Sequence, residues 1–256
     1  DLDGTLVRSD LLHETFWSAF AHDLLMPLRA MASLMSGRAV LKRMLADRAK
    51  VDIATLPFDA GVIAYIKAWR EEGGRAVLVT ASDHRLAEGV AAHLSVFDEV
   101  HATDASVNLK GKAKAEFLVR RYGENGFHYV GDAKADLAVW EKADRAITVN
   151  ATSSLRDQAE GLGRPIEHLQ TLDESWKPYV QALRPHQWLK NLLVFVPMLA
   201  GHRIDGETFA LSALAFVTFS LAASSLYLFN DLLDLRADRG HPRKWKRPVA
   251  AGLLPI

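Results

Sequence analysis

Apolar positions follow two different regimes along these 256 residues. Up to about Leu172, short apolar runs alternate with stretches of helical spacing. The runs Arg75–Thr80, Phe127–Gly131 and Arg145–Val149 are β-branched or aromatic and end near small polar residues, so they predict strands. Between them, Arg85–Leu94 and Lys112–Tyr122 place apolar residues at i, i+3 and i+4, which predicts helices. This alternation predicts an α/β layer fold over residues 1–172. The Met- and Leu-rich interval from Leu11 to about Ile53 is helical in pattern and reads as an insert between a first strand and the core.

Beyond Leu172 the composition changes. The polar stretch from Arg164-Pro165 to Lys177-Pro178 is punctuated by prolines and marks the junction, with the expected linker placed at 173–182. Thr208 to Phe229 then runs without a charge, long enough for the roughly 20 helical residues that a bilayer requires. Two spans are expected, at about 188–201 and 208–230. Arg184 and Lys190 precede the first, and a basic cluster follows the second. By the positive-inside tendency, both flanks and the α/β domain face the cytoplasm. The expected setting is therefore a multi-pass protein of the cell membrane.

Charge and composition narrow the chemistry. With 31 basic and 31 acidic residues the net charge is zero, so nothing in bulk favours nucleic acid. The absence of cysteine excludes disulfides, zinc–thiolate sites and a cysteine nucleophile. The histidines show no metal-ligand spacing. Nothing precedes Asp1, where an apolar strand is expected, and Leu253–Ile256 closes no element. The sequence therefore reads as a piece cut at both ends.

Four motifs occur in order in the first region: Asp1-Leu2-Asp3-Gly4-Thr5, Thr80 closing an apolar strand, Lys110-Gly111-Lys112-Ala113-Lys114, and Gly131-Asp132-Ala133-Lys134-Ala135-Asp136. Together they resemble the haloacid dehalogenase superfamily of phosphatases, and most closely its phosphoserine-phosphatase-like branch with a helical cap, here at about 11–53. The resemblance implies a Rossmann-like core and a phosphorylated small-molecule substrate. It also implies roles: Asp1 as nucleophile, Asp3 as acid and base, Thr80 on a phosphoryl oxygen, and a lysine offsetting charge. The lysine is Lys112 or Lys114, and Lys114 is preferred because a helix follows it. Mg²⁺ would be held by Asp1, Asp3, Asp132 and Asp136, the last either as ligand or as a support behind the ligands.

After the second span comes Asn230-Asp231-Leu232-Leu233-Asp234-Leu235-Arg236-Ala237-Asp238. On one continuous helix Asp231, Asp234 and Asp238 share a stripe. Carboxylates clustered at a membrane boundary call for a cation partner. With Leu183 to Asn191 and His241-Pro242-Arg243-Lys244-Trp245-Lys246-Arg247-Pro248, the motif resembles the UbiA superfamily of intramembrane prenyltransferases. It is most similar to the branch that includes decaprenyl-phosphate phosphoribosyltransferase. The resemblance implies an all-α transmembrane bundle, incomplete here, over residues 183–256. It further implies a polyprenyl phosphate or diphosphate substrate, Mg²⁺ on Asp231, Asp234 and Asp238, and phosphate contacts from Lys190, Asn230 and Arg247. The expectation is a bifunctional membrane enzyme of the cell envelope. Alternatives are alkylation of an aromatic acceptor, as in quinone or haem pathways, and a non-catalytic regulatory role for the first domain.

Overall fold

The computed structural model describes residues 1–103, 109–173 and 175–256. The chain divides into two compact units, Asp1–Asp173 and Glu174–Leu254. Glu174, within the expected linker, lies outside the described residues.

In the first unit the helical insert comes first, as α1 (Leu11–Phe20), α2 (Met26–Met35) and α3 (Arg38–Arg48). The layered part follows with α4 (Ala60–Glu71), β1 (Val77–Asp83), α5 (His84–Leu94), β2 (Glu99–Thr103), α6 (Lys112–Tyr122), β3 (His128–Gly131), α7 (Leu137–Trp140), β4 (Arg145–Val149), α8 (Ser153–Glu160) and β5 (Ile166–Leu169). Aspartates start three of these helices. Asp10, Asp59 and Asp83 each accept a backbone N–H one or two residues into α1, α4 and α5, satisfying donors that a helix cannot pair internally.

Among the described residues the named strands pair in parallel. β1 pairs with β2, and β3, β4 and β5 form a second ladder in that order. A cavity of about 370 Å³, walled in part by Val62, Ile66, Val79, Val130 and Ile147, lies between the β1 and β3 strands. The amino group of Asp1 donates to the Val130 carbonyl at 2.8 Å, which sets Asp1 beside β3. Buried Trp140, Ala146, Leu118 and Leu155 form one apolar cluster, and Leu2, Leu6, Val62, Leu78, Val90 and Val149 another. The insert has a small cluster of its own, Ala19, Met26 and Leu45. This is a Rossmann-like α/β core with a helical insert.

The β1 strand departs from expectation. It runs through Asp83 and does not close at Thr80. The polar residues that extend it are buried because each has a partner. Ser82 bonds to Asp3, and Asp83 caps α5.

The second unit holds α9 (Lys177–Leu183), a 3₁₀ segment Pro185–Phe195, α10 (Val196–Ala200), α11 (Gly206–Leu233) and α12 (Leu235–Gly240). Much of the expected linker is therefore helix. The span expected at 188–201 is not one continuous α-helix: a 3₁₀ run gives way to five α-helical residues at Val196, with Pro197 removing a backbone donor. Among the described residues one helix, α11, is long and apolar enough to cross a bilayer. At about 1.5 Å per residue its 28 residues reach roughly 42 Å. Small residues on α11 receive the 3₁₀ segment: Trp188 Nε1 donates to Ser224 Oγ and Asn191 Nδ2 to Ser220 Oγ, both at 3.0 Å.

Candidate functional site

Three carboxylates meet at the end of β3. Oxygens of Asp1, Asp132 and Asp136 lie within 4.8 Å of one another, the one such acidic cluster among the described residues. Asp132 follows the last residue of β3, and the next turn brings Asp136 back, its Oδ2 accepting the N–H groups of Asp132 at 3.3 Å and Ala133 at 3.1 Å. Thr5 Oγ1 donates to Asp132 Oδ1 at 2.7 Å. Gly4 makes this approach possible: its φ is +70°, and a Cβ there would lie 2.2 Å from Asp132 Oδ2.

Lys114, 2% exposed, reaches the cluster from α6. Its Nζ lies 3.0 Å from Asp1 Oδ2 and 3.8 Å from Asp136 Oδ1. It also donates to the Tyr129 hydroxyl at 2.7 Å, and that hydroxyl donates to Asp136 Oδ1 at 3.0 Å. Lys112 is exposed. Burial lowers the Lys114 ammonium from its usual range, opposed by the carboxylates around it. Burial also raises Asp132 to about 6. Tyr129 is held well above its ordinary value, first by burial and then by Asp136.

Asp3 stands apart from the cluster, which corrects its expected place among carboxylate ligands. Its Oδ1 accepts the Leu11 N–H at 2.8 Å and its Oδ2 accepts the Ser82 hydroxyl. Burial and then Asp10 push its carboxyl above the ordinary value, with the Ser82 bond pulling the other way. Thr80 is fully buried, its Oγ1 accepting the Ser82 N–H at 3.0 Å. Lys42 of the insert donates to the Ala81 carbonyl, so the insert touches the strand that carries Thr80 and Ser82.

The donor set of the first cluster fits a hard divalent cation. Every donor is a carboxylate oxygen, and Gly4 keeps Asp132 in line. The sequence assigns no role to Tyr129 or Ser82, and none to Thr5 although it lies in the first motif. A tyrosine inside a strand reads as core, and Ser82 lies beyond the strand end expected at Thr80, so nothing in the sequence pattern marked either one.

The second acidic motif is arranged differently from a shared-cation site. The helix breaks at Asp234, with φ −94° and ψ 9°, so the three aspartates do not share one continuous stripe. Asp231 and Asp238 are buried while Asp234 is exposed. Arg184 grips Asp231 through both oxygens at 2.6 and 2.8 Å. Arg247 Nη1 bridges Asp231 at 3.0 Å and Asp238 at 2.6 Å, and Lys244 Nζ lies 3.4 Å from Asp238. Two carboxylates thus face three cations, one positive charge in excess. As arranged, these side chains do not fit a common Mg²⁺. Lys190 and Asn230, expected beside Arg247 on phosphate, are both exposed.

An Asp-x-Asp beside a buried lysine, with a carboxylate cluster at strand ends, has the donor and charge make-up of a site for phosphate chemistry. The family model for haloacid dehalogenase-like hydrolases matches residues 1–141, and the chain belongs to that family. An uncharacterized protein of Sinorhizobium fredii is 36% identical over 258 residues, which cover 100% of this chain and 50% of that protein. Decaprenyl-phosphate phosphoribosyltransferase of Mycobacterium tuberculosis is 52% identical over 81 residues, 30% of this chain and 27% of that enzyme. A substrate-bound phosphoserine phosphatase superposes with a TM-score of 0.47 and 17% identity, over 71% of this chain and 94% of that one. The chain spans about half the length, or less, of the curated relatives it matches.

Proposed function

We propose that the first unit hydrolyses a phosphomonoester with Mg²⁺ and that the second is the beginning of a UbiA-type transferase, together forming a bifunctional membrane enzyme. The contact that carries the first half is Lys114 Nζ 3.0 Å from Asp1 Oδ2, beside the Asp1–Asp132–Asp136 cluster. A carboxylate normally repels a phosphate dianion, and here Lys114 offsets the charge the two would share. Asp1 attacks phosphorus, and the bond to the leaving oxygen breaks as Asp3 gives that oxygen a proton. A raised carboxyl pKa suits Asp3 to this task. Water then attacks the aspartyl phosphate, Asp3 takes its proton, inorganic phosphate departs and Asp1 is restored. Thr80 binds a phosphoryl oxygen. When bound, Mg²⁺ supplies further charge neutralisation at Asp1, Asp132 and Asp136.

For the second unit the supporting observations are α11, the arginine-rich pocket and the similarity to decaprenyl-phosphate phosphoribosyltransferase. Its substrate on this reading is a polyprenyl phosphate or diphosphate, with phosphoribosyl transfer on the route to cell-envelope polymer. The one-charge excess of Arg184, Arg247 and Lys244 suits a phosphate group, Arg supplying paired N–H donors. The chain is placed in the cell membrane with the hydrolase unit and the acidic motif on the cytoplasmic side. Joined sites raise the local concentration of a phosphorylated lipid-linked sugar at the hydrolase.

The test incubates the full-length protein with polyprenyl phosphate and phosphoribosyl diphosphate, following ribosyl lipid and inorganic phosphate. Both should form, and Asp1→Asn should stop phosphate release alone. No ribosyl lipid defeats the transferase half, and phosphate release surviving in Asp1→Asn defeats the hydrolase half.

A further inference from the structure

One surface of the insert has no use in either chemistry. Leu24, Leu25, Leu28, Met31, Leu34 and Met35 are each between 49% and 88% exposed. Of the large apolar side chains of α2, only Met26 turns inward, joining Ala19 and Leu45. On α2, Leu28, Met31 and Met35 recur at intervals of three and four residues and form one stripe along the helix, and Leu24 stands exposed in the turn that leads into it. A folded domain rarely leaves such a stripe in water. Val40, on the neighbouring α3, is also 47% exposed.

Asp23 and Asp47 bound a segment in which every charge is positive. Between Asp23 and Asp47 the chain carries Arg29, Arg38, Lys42 and Arg43 and no acidic residue. Arg29 pairs with Asp23, and Lys42 is engaged with the Ala81 carbonyl. Arg38 and Arg43 are exposed and make no ion pair among the described residues. Leucine and methionine projecting outward beside unpaired arginines is the pattern of a helix that lies in a membrane interface, its apolar face sunk a few ångströms among acyl chains and its cations against anionic headgroups.

We infer that α2 of the insert docks on an anionic lipid surface. The inference rests on the reading of α11 as a membrane span, because that anchor keeps the first unit beside a bilayer at high effective concentration. Docking gives the phosphohydrolase a reason to carry its insert outward: α3 packs on α2 and also touches β1 through Lys42. A bilayer-bound α2 would thereby be linked through α3 to the strand that carries Thr80 and Ser82.

The native chain has no cysteine, so a single introduced one reports alone. Met31→Cys and, separately, Met35→Cys carry an environment-sensitive fluorophore. Glu124→Cys serves as the aqueous standard and Leu214→Cys in α11 as the lipid standard. Each full chain is reconstituted into phosphatidylcholine vesicles with or without phosphatidylglycerol. At 31 and 35 the emission should shift to the blue, and a nitroxide at headgroup depth should quench it more than one deep among the acyl chains. Leu214 should show the opposite order and Glu124 neither. Omitting phosphatidylglycerol, or adding Leu24→Glu with Leu28→Glu, should reduce the quenching at 31.

If the labels at 31 and 35 stay as water-exposed as that at 124 while the chain floats with the vesicles, the docking is refuted. A blue-shifted label immune to both nitroxides also refutes it, in favour of a second copy or another protein face. Alkaline carbonate washing reads the anchor separately. If it strips a chain whose residue 31 was quenched beforehand, the span reading fails and the docking stands.

Discussion

The ammonium of Lys114 sits 3.0 Å from the carboxylate of Asp1, although the lysine side chain is almost wholly removed from water. A charge so placed persists only where opposite charges and hydrogen-bond acceptors meet it: Asp1 and Asp136 supply the charge, and the neutral Tyr129 hydroxyl accepts a hydrogen bond. Removing it should do two things at once. In Lys114→Met, hydrolysis of an aryl phosphate should fall by about 10²–10³-fold, and thermal unfolding should report a loss of about 3–5 kcal/mol. Lys114→Arg should not rescue activity, because a guanidinium fork does not fit the space of one buried ammonium.

Gly4 provides a test of the close approach to Asp132. In Gly4→Ala the new Cβ would collide with the carboxylate, and the +70° φ is itself unfavourable for alanine. The variant should lose about 1–2 kcal/mol in the metal-free state. The rise in melting temperature that Mg²⁺ gives the native protein should be largely absent from it.

The pH dependence follows from Asp132, whose carboxyl is raised from 3.8 to about 6. Between those values the folded state holds a proton that the unfolded chain has released. Metal-free stability should therefore fall as pH rises through that window and level off above it. Mg²⁺ needs the ionised form, so its stabilising effect should grow across the same interval. Melting curves in chelator and in Mg²⁺, from about pH 4 to about pH 7, read both trends. Asp132→Asn should flatten each of them.

Ser82 is a positioning residue for Asp3. Its hydrogen bond lowers the Asp3 carboxyl, against the upward push of burial. Ser82→Ala should move the alkaline limb of the hydrolysis profile to higher pH, because Asp3 keeps its proton longer. Ser82→Thr should restore the native profile. A shift in activity with no shift in the profile would argue against the role.

In the second unit the buried pair and the exposed side chains should behave oppositely. Arg247→Ala deprives Asp231 and Asp238 of a shared partner and should cost about 3–5 kcal/mol in detergent. Lys190→Ala and Asn230→Ala alter exposed side chains and should stay within about 0.5 kcal/mol of native.

Local patterns alone located the strands at Phe127–Gly131 and Arg145–Val149, the helices around α5 and α6, and the length of α11, because periodicity and apolar run length are properties of neighbouring residues. The resemblance carried by four motifs marked Asp1, Asp132, Asp136 and either Lys112 or Lys114 as groups for one chemistry, and the fold buries Lys114. Contacts distant in the chain escaped both. Tyr129 between Lys114 and Asp136, Ser82 on Asp3, and the extension of β1 beyond Thr80 depend on side chains brought together by packing. The second motif separates the two kinds of information most clearly. Spacing put Asp231, Asp234 and Asp238 on one helical stripe, but a backbone break at Asp234 and guanidiniums from Arg184 and Arg247 decide where those charges go. Spacing describes a straight helix, whereas a buried carboxylate takes the nearest cation the fold delivers, whatever its distance along the chain.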